Sequence, residues 1–209
     1  GCRGEAMQRM TDTMRIAFAD AKCLLHIEVE SDLYGAARAL FGDSEGIACI
    51  LGTGSNSCLY DGSSIVENVP PLGYILGDEG SGASLGKMFL NALFKGDLPA
   101  ELADQYLTET CQTYDDVIRR VYREPNANRY LASTSLFIIK HLDIKPLADI
   151  VEYNIEQFFV KNVCRYSHSE MPVAAVGSIA DAYSDIYIKV ANAHGFSVSK
   201  ILKEPIDAL

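Results

Sequence analysis

Small polar residues and glycines alternate at Gly52-Thr53-Gly54-Ser55-Asn56, directly after the apolar run 46–50. The glycines leave no side chains between the backbone and a ligand, while the hydroxyl and amide groups add to the exposed backbone N–H groups. A loop of this composition is suited to binding phosphate or sugar oxygens. The alternative is a tight hairpin whose polar residues only satisfy their own backbone.

A second glycine-rich segment follows at Gly77-Asp78-Glu79-Gly80-Ser81-Gly82. Two carboxylates are costly to bury without partners, so the segment either lies in a plain surface turn or holds a ligand. An ionised carboxylate is only an acceptor and can bind two donors, which makes Asp78 well suited to a sugar hydroxyl.

Asp32 is a third candidate, because it lies between the predicted strand 23–30 and the alanine-rich helix 33–41. A carboxylate at the C-terminal end of a strand lies where α/β proteins place their chemistry. Ser31 or Asp32 is also a good N-cap, and the two roles are compatible.

The elements around these residues predict an α/β protein. The hairpin 46–60 and a third strand at 65–69 form an antiparallel meander, and a helix is expected over 80–94. Residues 98–169 are nearly all helical in pattern. A buried strand then leads into the Gly177-Ser178 turn and a helix, followed by a short strand at 196–198.

The N-terminal segment 5–21 carries methionines and Phe18 at helical spacing. This pattern predicts one amphipathic helix whose apolar side chains pack into the core.

Composition excludes several classes of protein. A net charge of −10 and no basic stripe argue against nucleic acid as a partner. The six cysteines contain no C-x-x-C pair and are expected to be reduced, packed thiols.

The histidines show no zinc-binding spacing, and no apolar run is long enough to span a bilayer. A G-x-S-x-G pattern at 82–86 does not follow a buried strand directly, which argues against a serine hydrolase.

Four stretches together resemble one family: Asp32-Leu33-Tyr34-Gly35-Ala36-Ala37, residues 52–56, residues 77–82 and Val176-Gly177-Ser178. Their order and spacing are similar to those of the N-acetylglucosamine kinase and BadF-type ATPase family. The resemblance implies the actin, heat-shock chaperone and sugar-kinase superfamily, in which two ribonuclease-H-like lobes close over ATP and Mg²⁺.

The resemblance also implies a role for each matched position. Asp32 corresponds to the general base that takes the proton from the sugar hydroxyl. Gly52, Thr53 and Gly54 correspond to a phosphate-binding loop, and Gly177 and Ser178 to the adenosine-binding turn. The amino sugar would be contacted by Ser55, Asn56, Pro71, Leu72, Gly73 and Asp78. No metal-ligating residue is implied.

One family motif, the N-terminal D-x-G-[GS]-T-K type loop, has no counterpart before Asp32. On this basis we expect an N-terminally truncated chain that is inactive alone. Residues 1–44 would be a remnant of the N-terminal lobe, 45–200 a C-terminal ribonuclease-H-like lobe with a helical insertion at about 98–169, and 201–209 the start of a C-terminal helix.

The expected function is ATP-dependent phosphorylation of an amino sugar such as N-acetylglucosamine by a cytoplasmic enzyme. The sequence leaves the oligomeric state open, with a homodimer as one possibility. One alternative is an ATP-driven activator of a partner enzyme, although such activators hold an iron–sulfur cluster through cysteines that residues 77–82 lack. Another is a non-catalytic, sugar-responsive regulator.

Overall fold

A computed structural model describes residues 5–19, 27 and 29–208, and shows a mixed α/β fold around a five-stranded sheet. The apolar run predicted as the first strand is β1 (Gly46–Leu51), which pairs antiparallel with β2 (Ser55–Tyr60). β3 (Ile65–Glu67) pairs antiparallel with β2, which confirms the predicted meander.

The remaining strands extend the sheet in parallel, in the order β3-β2-β1-β4-β5. β4 (Val173–Val176) lies beside β1, and β5 (Val198–Leu202) lies beside β4. Every residue of β4 is buried, as expected of a strand covered on both faces. Because β1 and β4 run parallel, the turns that follow them, at Gly52 and Gly177, meet at one edge of the sheet.

Helices cover both faces of this sheet. The described helices before β4 are α1 (Glu5–Ala17), α2 (Asp32–Phe41), α3 (Gly73–Leu76), α4 (Gly82–Lys95), α5 (Ala100–Thr110), α6 (Tyr114–Tyr122), α7 (Ala127–Ser133), α8 (Ser135–Ile138) and α9 (Lys145–Lys161). After β4 come α10 (Ser178–Ala182) and α11 (Ser184–Ala193). α2 covers one face, and α4, α9 and α11 lie on the other. Short 3₁₀ helices occupy Ile139–His141, Val163–Tyr166 and Pro205–Ala208.

Side-chain alternation along β1 divides the core in two. Ile47, Cys49 and Leu51 belong to the larger cluster, which includes α4, α9 and α11. Ala48 belongs to a smaller cluster with the buried face of α2. This face of α2 includes Ala36 and Ala37, whose small side chains allow a close approach of helix and sheet.

The N-terminal helix differs from its prediction. It spans Glu5–Ala17, and none of its residues is buried. Met10, Met14 and Phe18 are 44%, 39% and 54% exposed, so the predicted core packing is wrong. Periodicity shows that a helix has an apolar face, but not which element covers it. The predicted strand 23–30 falls largely outside the described residues, as do Cys2 and Cys23.

The C-terminal segment also departs from prediction. Ile201 and Leu202 belong to β5, where they pair with β4, and only Pro205–Ala208 forms a short 3₁₀ helix. The helix was expected from the family resemblance, whereas the pairing of these residues with the buried strand β4 places them in the sheet. The division at residue 44 stays a prediction, although α2 packs directly against the sheet.

Cysteine environments match the prediction only in part. Cys49 and Cys58 are buried thiols, whereas Cys111, at the end of α5, is exposed. No helix among the described residues is long and apolar enough to cross a membrane.

Two helical glycines provide a matched test of the packing. A Cβ on Gly86 would clash with the Leu131 carbonyl of α7, whereas a Cβ on Gly35 would meet nothing within 4 Å. We expect Gly86→Ala to lower the free energy of unfolding by about 1–3 kcal/mol through overpacking. Gly35→Ala should raise it by up to about 1 kcal/mol through helix propensity. Urea unfolding measures both, and equal effects of the two substitutions would contradict the assigned contact between α4 and α7.

Candidate functional site

A cleft of about 560 Å³ opens at the edge of the sheet where β1 ends. It brings together most of the residues singled out from the sequence. The described residues that line it are Asp32, Ile50, Thr53, Gly54, Ser55, Asn56, Pro70, Pro71, Leu72 and Asp78.

The turn at the centre of the cleft is shorter than predicted, because only residues 52–54 lie outside the strands. Its carbonyls face the start of α4: the Gly52 oxygen accepts from the Gly82 N–H at 2.8 Å, and the Thr53 oxygen accepts from the Ala83 N–H at 3.1 Å.

In a trans peptide the N–H points opposite to the carbonyl, so the Thr53 and Gly54 N–H groups point away from α4. Within the described part of the chain, neither N–H group donates to a backbone acceptor. Two adjacent N–H groups of this kind are suited to an anion.

Ser55 and Asn56 begin β2, where they pair with Leu51 and Ile50. The Ser55 hydroxyl donates to the Glu79 carbonyl at 2.7 Å and so ties the hairpin to the second glycine-rich segment. The Asn56 Oδ1 accepts from the Ser57 N–H and from Asn68 Nδ2, both at 2.9 Å.

Asp78 is held in the wall of the cleft. Its backbone is left-handed, with φ of 54°, and its N–H donates to the Pro71 carbonyl at 2.8 Å. Burial raises the pKa of its carboxyl group, and hydrogen bonds from the Ser55 and Gly73 N–H groups oppose that rise. A Cβ on Gly54 would come within 3.0 Å of Asp78 Oδ2, so only glycine fits there without displacement.

Asn154 on α9 supports this segment from behind, and nothing in the sequence pattern singled it out. Its buried side chain accepts from the Gly80 N–H and donates to the Ser81 carbonyl, both at 3.2 Å. An amide is the side chain that can satisfy a donor and an acceptor together.

Asp32 is the first residue of α2, and its exposed side chain lines the cleft. Ser31 is the N-cap and accepts from the Tyr34 N–H at 3.1 Å, which resolves the capping alternative in favour of Ser31. Asp32 Oδ1 accepts from the Leu33 N–H at 3.0 Å.

Four of the sequence-predicted residues are not among those lining the cleft: Gly52, Gly73, Gly177 and Ser178. Gly177 packs against the backbone of Leu51 and Gly52, where the 52–54 turn begins. A Cβ on Gly177 would clash with the Leu51 carbonyl. Its φ of 129° also favours glycine. Ser178 begins α10 and is exposed.

Ser84 lies inside α4 rather than on a strand-to-helix elbow, in agreement with the argument against a serine hydrolase. No group of three or more His, Cys, Asp or Glu side chains among the described residues could hold a metal ion.

The chain aligns over 100% of its length with the crystal structure of a candidate N-acetylglucosamine kinase from Porphyromonas gingivalis, at 44% identity and a TM-score of 0.95, covering 72% of that protein. The chain belongs to the N-acetylglucosamine kinase family. The crystal structure of a candidate N-acetylglucosamine kinase from Chromobacterium violaceum also aligns with the chain, with a TM-score of 0.70. The alignment covers 94% of the chain described here and 70% of the Chromobacterium violaceum chain. At 18% identity it supports the fold alone. No protein-family model and no curated protein matches the chain.

Asn154→Leu tests the support of the 77–82 segment. It would leave the Gly80 N–H and the Ser81 carbonyl buried without partners, at about 1–3 kcal/mol each. We expect the free energy of unfolding to fall by about 2–5 kcal/mol. Tyr153→Leu, at a position 56% exposed on the same helix, is the control. A change of similar size in both variants would argue against support of the 77–82 segment by the two Asn154 hydrogen bonds.

The two aspartates Asp78 and Asp61 predict opposite pH dependences. The pKa of Asp78 is raised in the folded protein, so folding favours the protonated carboxyl group. This contribution to stability is fully present below the pKa of an unfolded Asp, about 4, and is lost as the pH rises through the pKa of Asp78 in the folded state. Hydrogen bonds from Ser64 and Ser63 lower the pKa of Asp61 to about 2, so its contribution is lost as pH falls.

Urea unfolding between about pH 2 and 7 therefore separates them. Relative to Asp78→Asn, the wild type should lose stability as pH rises, whereas relative to Asp61→Asn it should gain stability. The same trend in both comparisons would show that burial does not dominate at Asp78.

Proposed function

We propose that the chain carries the sugar- and phosphate-binding lobe of an ATP-dependent amino-sugar kinase. The enzyme transfers the γ-phosphate of ATP to a hydroxyl of N-acetylglucosamine or a related hexosamine. One observation carries the proposal: a single cleft gathers Asp32, Thr53, Gly54 and Asp78, which come from three separate stretches of the sequence.

Each group in the cleft has chemistry that fits a step of this reaction. Asp32 is an exposed carboxylate at the cleft and acts as general base toward the attacking hydroxyl. The Thr53 and Gly54 N–H groups bind phosphate oxygens, and Asp78 accepts hydrogen bonds from sugar hydroxyls. Gly177 and Ser178, beside the same turn, contact the adenosine.

The sheet supports assignment to the ribonuclease-H-like lobe of the actin and sugar-kinase superfamily. Three antiparallel strands are extended by two parallel ones, in the order β3-β2-β1-β4-β5, which is consistent with such a lobe. Residues between α4 and β4 are helical, consistent with an insertion at about 98–169. Residues before about 44 belong in this proposal to the other lobe, which closes over the nucleotide.

ATP fits the backbone donors of the 52–54 turn, since a chain with net charge −10 needs local donors for a polyanion. Mg²⁺ is held in kinases largely by nucleotide phosphates and one or two carboxylates, and neutralises charge on the transferred phosphate. Because Asp32 and Asp78, the carboxylates at the cleft, act on the sugar, the nucleotide phosphates and water would hold Mg²⁺ on this side of the cleft.

The activator alternative is less well supported. None of the described cysteines lines the cleft. Burial raises the pKa of both Cys49 and Cys58 to about 12, so neither readily forms the thiolate that a cluster needs. A small-molecule amino sugar is therefore the proposed partner, and the cytoplasmic location and the homodimer stay predictions.

Asp32→Asn tests the proposed general base in the intact protein. We expect turnover to fall by about 10²–10⁴-fold, the usual contribution of such a group. Stability should change by less than about 1 kcal/mol, because Asp32 is exposed in the first turn of α2. A coupled ATPase assay with a panel of hexoses and amino sugars measures turnover.

Asp43→Asn, at an exposed position just after α2, makes the same charge change and should retain activity. Full activity of Asp32→Asn would overturn the role of Asp32. ATP hydrolysis that no sugar stimulates would overturn the kinase assignment itself.

A further inference from the structure

Asn68 contacts the cleft without lining it. It follows β3, and its Nδ2 donates to Asn56 Oδ1 at 2.9 Å, to the Ser57 carbonyl at 2.7 Å and to the Val69 carbonyl at 3.2 Å. The sequence reasoning did not identify it, and the proposed mechanism gives it no role.

These contacts determine which end of the Asn56 side chain a ligand meets. A carbonyl oxygen has two lone pairs, and Asn56 Oδ1 already accepts from both Ser57 and Asn68. An Asn56 amide turned the other way would bring its Nδ2 against two donors, which is unfavourable. In the described part of the chain Nδ2 has no hydrogen-bond acceptor, so it is the polar atom of Asn56 left for a ligand in the cleft.

We propose that Asn68 is a positioning residue that holds the Asn56 amide with Nδ2 available to donate to an oxygen of the bound amino sugar. The proposal rests on the proposed function for the identity of the ligand. The cleft then presents opposite polarities to the sugar, with a donor at Asn56 and an acceptor at Asp78. This combination requires a ligand with both a free oxygen acceptor and a hydroxyl donor.

Asn68→Asp removes the donor and places a carboxylate against Asn56 Oδ1, which favours rotation of the Asn56 amide. We expect the affinity for N-acetylglucosamine, measured by calorimetric titration, to fall roughly tenfold. Asn68→Ala should have a smaller effect, because the Ser57 N–H still binds Oδ1. Asn192→Asp, at an exposed position on α11, makes the same charge change and should not alter the affinity.

A double-variant comparison separates positioning from general damage. In an Asn56→Ala background, Asn68→Asp should no longer change the affinity, whereas a merely structural effect would persist there. If the wild type binds the sugar and the two substitutions act independently, the inference is wrong and the proposed function stands. If the wild type binds no amino sugar, the proposed function fails, and the ligand part of the inference fails with it.

The amide orientation can be measured without any ligand. In nuclear Overhauser spectra of the wild type, the cross-peak between the Ser57 amide proton and the Asn56 Nδ2 protons should be weak, because the Ser57 N–H faces Oδ1. In Asn68→Asp this cross-peak should become stronger. Equal intensity in the two proteins would overturn the inference whatever the sugar measurements show.

Discussion

The cleft depends on the junction between the 52–54 turn and the start of α4. Helix N-termini leave N–H groups without intrahelical partners, and here the Gly52 and Thr53 carbonyls accept from two of them. The same hydrogen bonds orient the turn, because a peptide whose carbonyl faces the helix must point its N–H away from it. The same two hydrogen bonds therefore satisfy N–H groups at the start of α4 and leave the Thr53 and Gly54 N–H groups facing away from the helix.

Close approach of backbone segments is the second requirement. Gly54 lies against the Asp78 carboxylate, and Gly177 lies against the Leu51 carbonyl. A side chain at either position would separate loops that must lie side by side. The glycines thus allow the end of β4 to lie against the end of β1, and the 52–54 turn to lie against the 77–82 segment.

Burial of polar groups explains why this edge of the sheet holds its shape. The Asp78 carboxylate accepts hydrogen bonds from backbone N–H groups, and the Ser55 hydroxyl donates to the Glu79 carbonyl. The Asn154 side chain satisfies both a donor and an acceptor in the 77–82 segment. Each of these groups would be costly to leave unpaired away from water. The network is formed by residues from β2, α9 and the loop before α4, so it exists only in the folded chain.

Local sequence was sufficient for the strands of the meander and the glycine-rich turns, because hydrophobic alternation and turn chemistry act over a few neighbouring residues. It left the cap of α2 open between Ser31 and Asp32, and the structure assigns it to Ser31. The family motifs likewise pointed to Asp32, the 52–56 loop and Asp78 as parts of one site. Only the tertiary structure decided that α1 leaves its apolar face exposed, that residues 201–202 extend the sheet, and that Asn154 and Asn68 support the cleft. These outcomes depend on partners distant in the chain, and periodicity carries no information about which surfaces meet.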